Sequence, residues 1–234
     1  MIGNLVVGNV NCKDYGVYVT DAGIYASPEP DYTSYEIAGR NGDLHINNGR
    51  YKNVDITYQA FMPQEFEDKF VPFRSAILSQ EGYVRIEDDF KQDMYRLGRL
   101  KSGIEGKIKL ARGIGTFELE FDCKPQWYLK SGEQETVFTK NGSILNPTLF
   151  PSKPLIRVYG KGTVTVGTNV FVINTAGTGF IDIDTDSKQA YEGTANRNSN
   201  IKVNQWGSLT SGNNTITLGT GITKVAVTPR WYEL

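Results

Sequence analysis

Three groups of residues in this sequence have types and spacings that could support chemistry. The first contains the single histidine, His45, a candidate general base. One histidine is too few for most histidine-dependent catalysis or for a multi-histidine metal site, and its position between Asp43 and Gly49 predicts a solvated turn. Neither cysteine, Cys12 or Cys123, has a zinc-ligand spacing or a histidine close in sequence, so both are predicted to be buried, reduced thiols.

The second group is acidic. Asp182, Asp184 and Asp186 alternate as in a calcium-binding loop, but Ser187 stands where that loop requires glycine and Gly193 where it requires glutamate. In a strand, the three aspartates would share one face while Ile181 and Ile183 point to the core. This structural interpretation is favoured, and no metal ligand is predicted.

A second acidic run, Glu87-Asp88-Asp89, could supply two carboxylates to a glycoside hydrolase, which needs a pair about 5–10 Å apart. Adjacent carboxylates in a turn after a strand are more often solvated, so this hypothesis ranks third and no catalytic residue is predicted. The glycine-rich pieces at 160–162 and 219–221 complete no phosphate-binding motif and are typical of hairpin turns. No cofactor is predicted.

The third group is aromatic and consists of Trp127, Tyr128, Trp206, Trp231 and Tyr232. Such side chains stack on sugar rings in carbohydrate-binding modules. A lectin-like function is therefore the alternative to a purely structural one, and it predicts that a bound polysaccharide quenches Trp206.

The elements that must position these groups are mostly short strands. Apolar or alternating runs bounded by Gly, Asn, Asp or Pro dominate, for example 54–61, 116–122, 155–159 and 224–228. One segment, residues 63–79, has apolar residues spaced by four, three and four, the period of one helix face. Pro63 suits the first turn of that helix, Gly82 suits its C-terminal cap, and Pro72 inside it predicts a kink or break.

The composition excludes several classes of partner. Formal net charge is -1, and the 25 basic residues are scattered, which disfavours tight sequence-independent binding to nucleic acid or to an anionic membrane. No sequence-specific nucleic-acid partner is predicted either. No run approaches 18 apolar residues and the start lacks a signal peptide, so neither secretion nor membrane insertion is predicted.

A change of composition near residue 130 predicts two domains. A polar stretch and several prolines follow it, and the chain then becomes rich in Gly, Thr, Asn and Val. The predicted fold is mostly β, with a mixed β domain containing one helix at 1–130 and an antiparallel β-sandwich at 131–234.

Several blocks in a fixed order carry a family resemblance. Their residues in the first half are Gly39, Arg40, Gly42, Tyr51, Cys123, Pro125 and Gln126. In the second half they are Pro154, Gly160, Asp184, Pro229, Arg230 and Trp231. The series spans nearly the whole chain and resembles the distal tail protein family of siphophages that infect mainly Gram-positive hosts.

The resemblance implies a structural protein and not an enzyme. It implies that the N-terminal domain joins five other copies in a hexameric ring, and that a C-terminal sandwich of galectin-like shape lies outside the ring. The implied partners are the tail tube protein, the tail-associated tip protein and receptor-binding or baseplate proteins. The implied location is the virion tail tip, after synthesis in the host bacterial cytoplasm, with a central channel for DNA.

Two further expectations concern the second half. Galectins place a histidine and an Asn-Pro-Arg in their sugar site, whereas here Asn146-Pro147 is followed by Thr148 and no histidine is present. The resemblance to galectins is therefore one of shape, and sugar binding stays the alternative hypothesis. Trp231 is predicted to anchor the chain end by packing at the junction between the domains, against the linker around Pro125 and Trp127.

Overall fold

The computed structural model describes residues 2–21, 26–109, 113–174 and 179–234. Within these ranges the chain is mostly β and contains one α-helix, which confirms the predicted fold class. The chain forms two compact units. The first runs to Trp127 and also includes Leu234, and the second is Tyr128–Glu233.

The first unit contains a series of antiparallel strands, one α-helix and a short 3₁₀ helix at Cys12–Tyr15. In chain order its elements are β1 (Leu5–Val7), β2 (Val10–Asn11), β3 (Tyr18–Val19), β4 (Pro30–Tyr35), β5 (Leu44–Tyr51), β6 (Val54–Met62), α1 (Phe66–Leu78), β7 (Val84–Asp88), β8 (Met94–Leu100), β9 (Lys107–Lys109) and β10 (Ile114–Cys123). A further strand, β11 (Trp127–Leu129), begins at the last residue before the boundary.

The main sheet of the first unit curls back on itself. Its strand order is β2-β1-β7-β8-β10-β6-β3, and β9 adds to β10. The backbone N–H of Gly3, just before β1, donates to the carbonyl of Val19 at 2.9 Å, and the N–H of Val19 returns a bond to Gly3 at 3.1 Å. The two sides of the sheet therefore meet around one apolar core.

One side of helix α1 packs into this core. Its buried residues are the four that the period predicted, Phe66, Phe70, Phe73 and Ile77, so the prediction of a helix is confirmed. Pro63 lies before the helix, and the cap is Ser79 rather than Gly82. Pro72 does not end the helix, because the buried side chains on either side of it outweigh the one backbone hydrogen bond that proline removes.

The second unit is an antiparallel sandwich with short 3₁₀ helices at Lys130–Glu133 and Asn198–Asn200. Its strands are β12 (Thr136–Phe138), β13 (Gly142–Asn146), β14 (Leu155–Gly160), β15 (Gly162–Val166), β16 (Asn169–Ile173), β17 (Phe180–Asp184), β18 (Gln189–Glu192), β19 (Ala195–Asn196), β20 (Ile201–Gln205), β21 (Gly212–Leu218), β22 (Ile222–Thr228) and β23 (Tyr232–Glu233).

Two sheets face each other in this unit. Their orders are β12-β22-β14-β17-β18-β19 and β13-β21-β15-β16-β20. Both contribute to one core, for example through Ile156 and Val158 from the first sheet and Phe171 from the second. In the pairing of β14 with β22 the register shifts at Gly160, whose φ of 100° and position against the carbonyl of Gly221 leave no room for a side chain.

Candidate functional site

Strands β4 and β5 form a small sheet of their own, which we call the arm together with the turn between them (residues 30–51). Their pairing runs from Tyr35 opposite Leu44 to Pro30 opposite Tyr51. Among the strands that the structure describes, these two pair only with each other. A two-stranded sheet without a covering layer is marginally stable in water, so a second surface packed against the arm would stabilise it.

One face of the arm is apolar. Tyr35, Leu44 and Ile46 lie on it, and we call these three residues the apolar face of the arm. Between 43% and 51% of the surface of each is exposed. Exposed apolar side chains gathered on one face of a sheet are typical of protein contact surfaces rather than of free monomers.

The opposite face of the arm is mixed and includes Ser34, His45 and the exposed ring of Tyr32. His45 lies in β5 and not in the predicted turn, although it is exposed as expected. Its Nδ1 lies 2.7 Å from Oγ of Ser34, and its ring meets the edge of Tyr32. A serine and histidine in contact resemble a nucleophile and its base, but the pair lies on an open strand surface and lines neither of the two grooves described below.

Sequence reasoning missed the Ser34–His45 contact because the two residues are eleven positions apart. The only signal in the sequence was a possible hairpin: the two residues would face each other if the segments on either side of a glycine-containing turn paired as strands.

Ion pairs fasten the base of the arm. Arg50 donates from Nε to Asp31 at 2.6 Å, and Lys52 donates to Glu29 at 3.3 Å. The hydrogen bond from Arg50 lowers the pKa of Asp31. These contacts join the two chain segments at the end of the arm that lies opposite its turn.

Four of the residues that carry the family resemblance lie on the arm. Gly39 and Gly42 have φ values of 78° and 82° in its turn, a backbone conformation that favours glycine, and Arg40 and Tyr51 are exposed. The residues that carry the family resemblance therefore include four of the arm.

Three other such residues lie at the end of the first unit. Cys123 is buried at the end of β10, and burial raises the pKa of its thiol to about 12, as it does for Cys12. The prediction of two buried free thiols is confirmed. Pro125 is buried, and the side-chain oxygen of Gln126 is buried without a hydrogen-bond partner among the described residues.

Trp127 is buried, so it is not the sugar-stacking side chain that its type suggested. Its ring lies 3.9 Å from the guanidinium carbon of Arg96 and 4.0 Å from Nζ of Lys91. Burial and the neighbouring charge of Arg96 lower the pKa of Lys91. Trp127 therefore serves to hold two cations in the first unit, a role that its sequence neighbours did not indicate.

The three alternating aspartates of the second unit each pair with a separate cation. The pairs are Asp182 with Arg157 (2.7 Å), Asp184 with Arg230 (2.9 Å) and Asp186 with Lys153 (2.9 Å). In the described residues, no group of three or more His, Cys, Asp or Glu side chains could hold a metal ion. Asp182 and Asp184 lie in β17, as the strand interpretation predicted, whereas Asp186 lies in the turn that follows, so the prediction was wrong for that residue.

Arg230 links several elements near the end of the second unit. Its φ of 58° is unusual for a side chain of this size, and its N–H donates to the carbonyl of Gly132 at 2.7 Å. Both of its terminal nitrogens bind Asp184, at 2.9 and 3.1 Å. Burial favours a higher pKa for Asp184, but the hydrogen bonds and charge of Arg230 outweigh burial and lower it.

Three more of the residues that carry the family resemblance, Pro154, Pro229 and Trp231, also make structural contacts in the second unit. The carbonyl of Pro154 accepts a bond from the hydroxyl of Thr185 at 2.8 Å, and the carbonyl of Pro229 accepts one from Ser152 at 2.7 Å. Trp231 is 5% exposed and belongs to the sandwich core, so its predicted packing role is confirmed. Its position at a junction between domains stays a prediction.

The other proposed sugar and carboxylate sites also have structural contacts. Trp206 packs its edge on Phe171 with ring centres 5.1 Å apart. Asp88 is buried and accepts a bond from Tyr58 at 2.8 Å, while Asp89 accepts one from the backbone of Asn4 at 2.9 Å. These contacts favour structural roles for the aromatic and acidic groups.

Two open grooves lie in the first unit. The larger, about 500 Å³, is lined by residues such as Asn11, Asp14 and Gln80, and the smaller, about 370 Å³, by Arg99 and Lys101 among others. Neither contains the arm or the aspartates of the second unit. No helix in the described ranges is both long and apolar enough to cross a membrane.

Comparison with known proteins gives similarity in structure only. No protein-family model and no curated protein sequence matches the chain. The crystal structure of the Dit protein of phage SPP1, described as a paradigm of hub adsorption apparatus in phages that infect Gram-positive hosts, matches with a TM-score of 0.73 over 99% of both chains at 14% identity. A chain of the phage P2 baseplate in its activated conformation with calcium matches with a TM-score of 0.50, over 97% of this chain and 98% of that one, at 12% identity. The chain therefore has the fold of the SPP1 Dit protein.

Proposed function

We propose that this chain is a structural, non-enzymatic component of a bacteriophage tail tip. Six copies form a ring that connects the tail tube to the tail-tip, baseplate and receptor-binding proteins and leaves a channel for DNA. The observation that carries the proposal is the arm, whose apolar face is exposed on a sheet that pairs with no other described strand. The fold similarity to the SPP1 hub protein over the full length supports it.

The arm would suit a ring if its apolar face docked on a different surface of the next copy. A contact between two different surfaces is head to tail, and it closes into a ring when the rotation between neighbours divides a full turn. An arm of 22 residues, 30–51, reaches out to a neighbouring copy, where Tyr35, Leu44 and Ile46 would lose their exposure to water.

The charge of the chain is compatible with a DNA channel. A formal net charge of -1 offers no general excess of cations to hold phosphates, so DNA would pass without the tight, salt-dependent binding that basic surfaces produce.

The experiment compares two double variants by light scattering and sedimentation. Leu44→Ser with Ile46→Ser removes apolar side chains from the arm, and Val71→Ser with Leu78→Ser is the matched control, because those two residues of α1 are 52% and 53% exposed. Wild type and control should form the hexamer of about 157 kDa at high concentration, six times the 26.1 kDa chain, whether or not hexamers then pair with each other. The arm variant should stay folded and should not form the hexamer.

Two results would overturn the proposal. One is a wild-type chain that stays monomeric at every concentration and also with the tail tube protein. The other is an arm variant that assembles as well as the control.

A further inference from the structure

The sandwich of the second unit has four edge strands, and one of them is unprotected. Proteins usually blunt sheet edges by short length, charge, proline or a bulge. Strands β19 and β12 have two and three residues, and β20 carries Lys202 and a register shift against β16. Strand β13 has five residues, no charge, no proline and an unbroken register with β21. No other described strand pairs with it.

Two leucines stand beside this edge. Leu145 in β13 is 61% exposed and Leu149 in the following loop is 82% exposed. The loop is held firmly, because the buried side chain of Asn146 donates to the carbonyls of Phe150 at 2.9 Å and Leu209 at 3.1 Å. Leu149 is therefore held out into solvent by a fixed backbone.

The same segment carries no charge. From residue 141 to residue 152 the sequence contains no Asp, Glu, Lys or Arg. Two copies of this edge can approach each other without like charges facing across the pair, which would disfavour it. In an antiparallel pair centred on Ile144, Ser143 of each copy faces Leu145 of the other, and both lie on the exposed side of the sheet.

We propose that β13 pairs with β13 of a second copy of this chain and joins two sandwiches into one continuous sheet. The pairing places identical surfaces against each other about a two-fold axis. Its residues are distinct from those of the arm, so it stands whether or not the arm forms a ring. With a ring present, it joins copies in pairs beyond the head-to-tail contact.

The test separates the two contacts by working in the arm variant, Leu44→Ser with Ile46→Ser. In that background we compare Leu145→Lys with Val137→Lys, a matched change at a residue of β12 that is 52% exposed. Sedimentation velocity should show a dimer of about 52 kDa for the arm variant and for Val137→Lys. Leu145→Lys should weaken the dimer at least about tenfold, because it places two ammonium groups near one edge.

A cross-linking measurement supplies the second readout. Cys12 and Cys123 are buried, so a short bifunctional maleimide reacts with an introduced surface thiol. Leu145→Cys should give a covalent dimer in the arm-variant background, and Val137→Cys should not. A monomer at all concentrations, or a dimer that Leu145→Lys and Val137→Lys affect equally, overturns the pairing. A ring that persists in the arm variant overturns the role of the arm and leaves the pairing to be judged by the Leu145 variants.

Discussion

The arm and the outer face of the sandwich are both exposed β-surfaces. They differ in whether their exposed side chains already have partners within the chain. On the arm, Tyr35, Leu44 and Ile46 face water without a covering layer. On the sandwich, Lys224 lies 3.8 Å from the ring of Tyr159, and Arg157 both covers Phe180 and binds Asp182. Exposure alone therefore does not identify a contact surface; a contact surface is one whose exposed side chains lack partners within the chain.

The largest expected effect on stability comes from removing a buried side chain from the sandwich core. Trp231→Ala should lower the free energy of unfolding by about 3–5 kcal/mol, because a side chain that is 5% exposed leaves a cavity. Chemical denaturation measures the change, and Trp206→Ala, at a partly buried ring, should cost less. A loss below about 1 kcal/mol for Trp231→Ala would show that the ring is not enclosed in solution.

The second largest loss of stability is expected at Gly160, where the pairing of β14 is irregular. Gly160→Ala should destabilise the chain by about 2–3 kcal/mol, because its φ of 100° suits only glycine and the new Cβ meets the carbonyl of Gly221. Gly193→Ala is the matched control, since Gly193 has a φ of 60° and open space around it. Equal losses in thermal melts would mean that the close approach at Gly160 is relieved at no cost.

The ion pair between Asp184 and Arg230 should make the stability of the chain fall as the pH is lowered. The pKa of Asp184 is lowered on folding, so its contribution is present above the unfolded pKa of about 4 and is lost as pH falls through the folded value. Asp184→Asn should cost roughly 1–2 kcal/mol at neutral pH and flatten the loss of stability below about pH 4. The exposed Asp186→Asn serves as the control, and an identical acid profile for both variants would contradict the assignment.

The smallest effect belongs to the arm. Ile46→Ser should change the stability of the monomer by less than about 0.5 kcal/mol, because the side chain is 48% exposed and covers no core. Melts at low concentration measure this. A loss comparable to that of Trp231→Ala would show that the arm packs on its own unit and not on another chain.

The helices and strands that could be predicted from the sequence are those with one buried and one exposed face. The period of Phe66, Phe70, Phe73 and Ile77 located α1, and alternation located β6, because in each case one face meets a core. The arm lacked that signal, since every residue of β5 is exposed. His45 was therefore placed in a turn when it lies in a strand.

The contacts of the second unit were predictable only in part. Alternation showed that Asp182 and Asp184 belong to a strand, and burial of Trp231 followed from its place after an apolar run. The partners Arg157 and Arg230 lie 25 and 46 positions away from those aspartates. A single sequence does not contain the register that brings such residues together.

The strand order of the sandwich also affects how the chain folds. Thr136 in β12 pairs with Val227 in β22, so the first strand of the sandwich takes its neighbour from almost the last. Loops of this length close slowly, and sheets built from non-local pairs fold in milliseconds to seconds. During synthesis, β12 has no strand to join until β22 has left the ribosome. The sheet that contains β12 can therefore be completed only after the strand β22 near the end of the unit has been made.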